Sequence, residues 1–376
     1  MIISRSVKYS RIIKSGAADK ILPRRPLIKY KILLAGGSDF NHMSNLLFEE
    51  FRLKTGTSPA SKRSSFMRGF YGSGGRKAYF EGWYIKQQAN DETIAFIPSF
   101  HVDEKGRCFA HLQAITSSGS AGMEYPIGEF SANQGNLDVT LGKNRFTEKG
   151  IEVSFSAEGM NIEGFLDFGE WHRPDTDIMG PFRFVPFMQC RHGVFSLFHD
   201  VRGVLEVNGK QIAFENGHGY IEADRGTSFP NSYIWTQCGW RDGGDPRCVM
   251  LSIAEIPFLA GRFTGCIGSV YCEGREYRLA TYRRVKIERA GALGCEVRQG
   301  ELRLTIDVLN KRPHELLAPN SGKMSRTIHE SVSCRVRYRF RIGEVEKFDF
   351  ISDCASFEHV EGIRQSLQRV QSWRSR

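Results

Sequence analysis

The feature that most constrains the fold of this chain is an alternation of apolar and polar residues in short runs, which begins at Lys77. Gly, Asn or Asp residues interrupt these runs about every eight to twelve residues. This pattern predicts many short antiparallel strands. The clearest hairpin is residues 204–214, where Asn208 and Gly209 suit the positive φ angles of a type I′ turn. Similar alternation occupies residues 270–279, 295–308 and 335–342.

The length of this β-type region sets the number of domains. Roughly 270 residues of short strands indicate two antiparallel sandwiches or barrels in series. We predict an all-β fold with domains at residues 76–230 and 231–350. Residues 351–376 are predicted to be a short C-terminal helical tail, because the segment Glu358–Trp373 is polar and is the main stretch with helical periodicity.

The net charge of +10 is concentrated near the N-terminus. Residues 1–63 hold 13 Lys and Arg against 4 Asp and Glu, so the rest of the chain is nearly neutral. We predict that residues 1–75 are a basic, flexible extension. Nucleic-acid binding is not expected, because it needs a basic face on the folded body. The alternative for the extension is a peripheral contact with a membrane surface.

The cysteines and the hydropathy of the chain bear on its location. The nine cysteines are an odd number without CxxC pairs, and no secretory signal is recognisable at the start. They are expected to be reduced thiols in a cytoplasmic protein. No apolar run reaches the roughly 18 residues that a membrane-spanning helix needs. We expect a monomer.

The first predicted strand places an acid among aromatic residues. Tyr79, Glu81 and Trp83 share one face of an extended strand. Desolvation there would raise the pKa of Glu81 and favour the protonated acid. The alternative is a structural role, in which Glu81 closes a buried hydrogen bond or ion pair.

Four aromatic and acidic motifs together resemble the tocopherol cyclase family. They are Phe80-Glu81-Gly82-Trp83-Tyr84, then Ser99-Phe100-His101, then the block from Gly217 to Pro230, and Trp235-Thr236-Gln237-Cys238. They occur in the order found in that family, and the resemblance covers about residues 77–345.

The resemblance implies a fold and an activity. The fold would be two consecutive lipocalin-like, calycin-type β-barrels that enclose an apolar pocket for a hydrophobic small molecule. The activity would be closure of a prenylated hydroquinone, or a related isoprenoid lipid, to a chromanol. This isomerisation requires no cofactor or metal. The alternative is a lipocalin-like carrier that binds such a ligand without chemistry, since one fold serves both functions.

Protonation of an alkene needs a positioned acid in a pocket from which water is excluded. Tyr220, Glu222 and Asp224 alternate onto one strand face, which brings two carboxyl groups near each other. We predict Asp224 or Glu81 as the proton donor, with Glu222 beside it, and His101 as the base that accepts the phenol proton. The residues predicted to bind substrate are Tyr79, Trp83, Phe100, Tyr220, Trp235 and Gln237.

Structural roles are the alternative for these residues. The acids would then pair with Arg225 or cap backbone amides, and His101 would be a hydrogen-bonded core residue. A metal site is not expected, because His192 and His199 are seven residues apart, an odd separation that places them on opposite faces of a strand.

Overall fold

The computed structural model describes residues 69–362 except 186–187, 259–260 and 312–313. These residues form two large sheets of antiparallel strands. The only helices in this described part are three short 3₁₀ turns, at Ile127–Glu129, Gly180–Phe184 and Thr281–Arg283. This architecture confirms the predicted all-β, two-part lipocalin-like fold.

The first sheet contains twelve strands. In chain order they are β1 (Tyr79–Ala89), β2 (Glu92–Val102), β3 (Cys108–Thr116), β4 (Ser120–Pro126), β5 (Phe130–Ala132), β6 (Asp138–Leu141), β7 (Asn144–Thr147), β8 (Gly150–Ala157), β9 (Met160–Phe168), β10 (Cys190–Val207), β11 (Lys210–Ala213) and β12 (Gly217–Gly226). Their spatial order is β4-β3-β2-β1-β12-β10-β9-β8-β7-β6-β5, with β11 paired to β10. Strand β12 therefore lies in the interior of the sheet, between β1 and β10.

The second sheet contains ten strands. They are β13 (Tyr233–Asp242), β14 (Asp245–Phe258), β15 (Gly261–Cys272), β16 (Arg275–Ala280), β17 (Lys286–Gly291), β18 (Gly294–Gln299), β19 (Leu302–Asn310), β20 (His314–Asn320), β21 (Lys323–Ile342) and β22 (Val345–Val360). Their order is β16-β15-β14-β13-β22-β21-β19-β18-β17, with β20 paired to β21. Both sheets belong to one compact unit. The chain leaves the first sheet after Gly226 and enters the second at Tyr233, on either side of the predicted boundary.

The predicted hairpins are present. Strands β10 and β11 pair from Val204 opposite Ala213 to Val207 opposite Lys210. The turn residues Asn208 and Gly209 have φ angles of 50° and 81°, as a type I′ turn requires. The hairpins predicted around Gly274 and Gly300 join β15 to β16 and β18 to β19.

Each sheet has a core of its own, and a third apolar cluster lies between the sheets. Alternation along β1 divides its side chains between two of these cores. Trp83 and Ile85 belong to the core of the first sheet, whereas Tyr84 belongs to the cluster between the sheets. Both faces of β1 are therefore buried. The cluster between the sheets also includes Tyr220 and Trp235.

The hairpin of β20 and β21 attaches the second sheet to the first. The side-chain amide of Gln113 donates to the Leu317 carbonyl (3.0 Å) and accepts from the Leu317 N–H (2.8 Å). At the tip of the hairpin, Gly322 has a φ of +74° and donates its N–H to the Thr227 carbonyl (3.0 Å). A Cβ atom on Gly322 would lie 2.1 Å from the Val102 carbonyl oxygen, so only glycine fits there.

We expect Gly322→Ala to destabilise the protein by about 1–3 kcal/mol more than Gly300→Ala, the range that overpacking costs. Gly300 is the matched control, because it also has a positive φ (59°) but no atom near its Cβ position. Both substitutions introduce the left-handed strain, and only the first adds a backbone clash. Urea denaturation of the two variants measures the difference. Equal losses of stability would show that the hairpin tip is not packed against the first sheet as described.

The predicted C-terminal helical tail is corrected over residues 351–360. These residues continue β22, which pairs with β21 and with β13 as far as Val360. The polar character of the segment does not reflect exposure to solvent, because Glu358 is a buried residue facing the space between the sheets. Residues 363–376 lie outside the described residues.

The N-terminal extension predicted for residues 1–75 is described only from residue 69. There, Phe70 packs edge-on against Phe100 and Phe130, with ring centroids 5.1 and 5.4 Å away. The Phe70 N–H donates to the Asn133 carbonyl (2.7 Å). Residues 70–72 thus contact the first sheet, and residues 1–68 lie outside the described part.

Seven of the nine cysteines are buried, and Cys108 is exposed. Within the described part of the chain, no helix has the length and apolar character needed to cross a membrane.

Candidate functional site

A cavity lies between the two sheets, in the third apolar cluster. Its volume is about 170 Å³. Most of its wall is apolar, including Met179, Ile256 and Leu316. A small number of polar side chains interrupt this wall, and they come from strands of both sheets. An apolar cavity with few, clustered polar groups is typical of a small-molecule site.

Glu222 and Asp224 are two acids on this wall, and Glu222 is the more deeply buried of them. It is 5% exposed, and its Oε2 accepts hydrogen bonds from the Tyr220 hydroxyl (2.5 Å) and the Trp235 indole N–H (3.2 Å). Burial and the negative charge of Asp224 raise the pKa of Glu222 to about 7, against the opposing effect of His192. At neutral pH a large fraction of Glu222 is therefore the protonated acid.

His192 lies between two carboxyl groups. Its Nδ1 is 3.1 Å from Asp224 Oδ1, and its Nε2 is 3.4 Å from Glu222 Oε2. Burial alone would lower its pKa, but the charges of Asp224 and Glu222 outweigh burial and raise the pKa to about 9. Asp224 also accepts a hydrogen bond from the Cys190 thiol (3.3 Å). The result is a contiguous line from Asp224 through His192 to Glu222.

This line holds protons between its carboxyl groups. With a pKa of about 9, His192 is an imidazolium at neutral pH and carries a proton on each ring nitrogen. One ligand atom from each of His192, Glu222 and Asp224 also lies within 4.8 Å of the others, a spacing that could hold a metal ion. His192 Nδ1 and Asp224 Oδ1 are hydrogen-bonded, whereas His192 Nε2 has no hydrogen-bond partner among the described residues.

The fold of this chain is similar to that of a solved structure, although its sequence matches no known family. Neither a family model nor a curated protein matches the sequence. Among solved structures, that of CghA with Sch210972 superposes with a TM-score of 0.50 and 13% identity, covering 75% of this chain and 88% of that chain. This likeness supports the fold.

Two other solved structures are similar at a lower level. A putative AttH protein from Nitrosomonas europaea has a TM-score of 0.45 and 12% identity, covering 75% of this chain and 93% of its own. Kievitone hydratase from Nectria haematococca has a TM-score of 0.43 and 11% identity, covering 75% and 88%.

Several residues predicted for the site line the cavity. Glu222, Asp224 and Trp235 do so together, and Trp83 and His101 also contribute to the wall. Tyr220 is not among the described lining residues and acts on the site through its hydrogen bond to Glu222.

His101 is a buried, neutral base. Burial and the nearby His111 lower its pKa to about 3. Its ring stacks on Phe109 at 5.0 Å, and its Nε2 is 2.9 Å from the Ser99 hydroxyl. The hydrogen bond and the low basicity favour a structural contribution to the cavity wall.

The carboxylate of Glu81 makes its hydrogen bonds away from the cavity. Its carboxylate accepts the backbone N–H groups of Tyr71 and Gly72 (both 3.0 Å) and the hydroxyl of Tyr79 (2.8 Å). Burial raises its pKa, and these hydrogen bonds partly oppose the rise. Glu81 is not among the described residues that line the cavity, and it anchors the segment before β1.

The other residues predicted to bind substrate also lie outside the cavity wall. Tyr79 and Phe100 form a small cluster in the first sheet against Phe70. Gln237 is buried in the second sheet, where its amide nitrogen lies 3.9 Å from the Cys248 sulfur. Neither this amide nor that small cluster belongs to the described lining of the cavity.

Three polar residues that line the cavity were not predicted as site residues from the sequence: His192, Glu330 and Glu358. His192 was considered only as a metal ligand together with His199, which instead packs near Phe168 with ring centroids 4.6 Å apart. His192 lies opposite Asp224 on the neighbouring strand. This position follows only from the pairing of β10 with β12, which the sequence does not show.

Proposed function

We propose that this protein is an isomerase of the tocopherol-cyclase type, which closes a prenylated hydroquinone, or a related isoprenoid phenol, to a chromanol. The observation that carries the proposal is the line Asp224–His192–Glu222 on the wall of an apolar cavity. The motif resemblance noted in the sequence adds independent support, because Glu222 and Asp224 belong to one of its four motifs.

Glu222 is the proposed proton donor. Its pKa of about 7 keeps much of it protonated at neutral pH. The contacts of Tyr220, Trp235 and His192 all involve Oε2, so Oε1 is the oxygen placed to carry the acidic proton. The aromatic wall stabilises a developing carbocation through the negative faces of its rings, and exclusion of water protects that cation.

The reaction consumes no net proton, because the proton that Glu222 gives to the alkene is matched by the one that the phenol loses. The carboxyl O–H of Glu222 breaks as a C–H bond forms on the alkene. The phenol oxygen then bonds to the cationic carbon and loses its proton to Asp224. Asp224 releases that proton to solvent and Glu222 takes one up as the product leaves, while His192 stays protonated between the two carboxyl groups. Asp224 replaces His101 as the proposed base, because the low pKa of His101 makes it a poor acceptor.

The proposal is tested by incubating the full chain with 2-methyl-6-phytylhydroquinone and with its shorter geranyl analogue, following chromanol by chromatography. We expect chromanol from the parent protein, also in the presence of EDTA, and little from Asp224→Asn. Tight binding of the quinol with no chromanol would contradict ring closure and support the carrier. Activity that EDTA abolishes would replace the proton mechanism with a metal-assisted one.

A further inference from the structure

A second pair of acids faces the same cavity and has no part in the proton transfers above. Glu330 on β21 and Glu358 on β22 are 2% and 8% exposed, and both line the cavity. They are directly opposite each other in the pairing of these strands, and their carboxyl groups are in hydrogen-bonding contact. Two carboxyl groups in such contact share one proton, because two adjacent negative charges repel.

Each member of this pair is held by a tyrosine. The Tyr84 hydroxyl donates to Glu330 Oε1 (2.7 Å), and the Tyr233 hydroxyl donates to Glu358 Oε2 (2.6 Å). Burial raises the pKa of both acids, and the charge of Glu358 adds to the rise for Glu330. The pair therefore keeps a proton at neutral pH and presents its remaining oxygen lone pairs as hydrogen-bond acceptors.

The pair is close to the Glu222 cluster but distinct from it. Trp235 donates to Glu222, and its backbone lies directly opposite Glu358 in the sheet. The Tyr84 ring contacts the Trp235 ring edge-on at 5.2 Å. One aromatic layer thus separates the two polar clusters.

A second feature of the cavity wall points to a polar group on the ligand. His192 lines the cavity, yet its buried Nε2 has no hydrogen-bond partner among the described residues. Buried donors are normally paired, so an oxygen atom supplied by a ligand would complete the site.

We infer that Glu330 and Glu358 form a hydroxyl-binding pair, which accepts a hydrogen bond from a hydroxyl group on an otherwise apolar ligand. The inference rests on the proposed function and extends it to the substrate class. In a hydroquinone, one hydroxyl becomes the ring ether beside Glu222 and Asp224, whereas the second hydroxyl survives. Glu330 and Glu358 bind that second hydroxyl and orient the ring. An isoprenoid hydrocarbon without a hydroxyl group would lack this contact.

The experiment measures binding, so it does not depend on turnover. The full chain is titrated with 2-naphthol and with 2-methoxynaphthalene, which differ in the O–H donor, following ligand fluorescence. We expect the parent protein to bind 2-naphthol about tenfold more tightly, the range of a hydrogen bond to a charged acceptor. Glu358→Gln and Glu330→Gln, made separately, should each reduce this ratio to about twofold or less. The ratio depends little on the fraction of a variant that folds.

Two control variants locate the effect. Glu344→Gln alters an exposed acid next to β22 and should keep the tenfold ratio, and Glu222→Gln should also keep it. The inference is overturned by a ratio near one in the parent, by an unchanged ratio in both pair variants, or by a ratio lost in Glu222→Gln instead. A tenfold ratio without any chromanol would reject ring closure alone. Chromanol formation with a ratio near one would reject the hydroxyl-binding pair alone.

Discussion

Replacing Glu222 with glutamine is expected to lower the rate of chromanol formation by about 10²- to 10⁴-fold, the contribution typical of a positioned general acid. Glutamine keeps the shape of the side chain and can still accept from Tyr220 and Trp235. It has no acidic proton to give to the alkene. The loss should appear in kcat, because the apolar wall that binds the substrate is unchanged.

The matched control is Glu215→Gln, which alters an exposed acid just before β12. It should retain the parent rate. Glu222→Gln should also bind the quinol with near-parent affinity, which separates lost chemistry from lost folding. A rate within a few-fold of the parent would show that Glu222 is not the proton donor.

Replacing His192 with glutamine is expected to remove a pH dependence of stability worth about 3 kcal/mol. The folded-state pKa of His192 is raised from 6.5 to about 9. Since the folded state binds this proton more tightly, the stabilisation is fully present below pH 6.5 and is lost as pH rises to 9. A difference of one in pKa corresponds to about 1.4 kcal/mol, so the rise in the pKa of His192 corresponds to about 3 kcal/mol of stability.

Urea denaturation at pH values from 6 to 9 measures this effect. The free energy of unfolding of the parent should fall by about 3 kcal/mol more than that of His192→Gln across this range. His329→Gln is the control, because His329 is exposed on the same kind of long strand and should leave the parent curve unchanged. Parallel curves for the parent and His192→Gln would mean that His192 does not carry the charge described here.

The parts of the site that follow a regular alternation could be predicted from the sequence. Glu222 and Asp224 lie two residues apart on one strand, so their common face required only the strand assignment. The same rule placed Glu81 beside Trp83, but the cavity lies between the sheets and not inside the first one. Phe80 and Tyr84, from the opposite face of β1, line it.

The remaining site residues depend on pairing and irregularity that the sequence does not display. Strand β10 has register shifts between Val194 and His199, so counting residues cannot assign the faces of its histidines. Glu330 and Glu358 meet only because β21 and β22 are neighbours. In the sequence, Glu358 has polar neighbours and cannot be distinguished from a solvent-facing residue. The pattern therefore predicts a helical tail there.

The central claim is that Glu222 protonates the alkene of a bound prenylated phenol, and deuterium transfer tests it most directly. The full chain is incubated with 2-methyl-6-phytylhydroquinone in D₂O, and the chromanol is analysed by mass spectrometry after its exchangeable hydrogens are restored in H₂O. We predict one deuterium in the new ring, on the carbon next to the C–O bond, and no labelled product above background with Glu222→Gln. Chromanol without deuterium, or with the same label and yield from Glu222→Gln, would contradict the account.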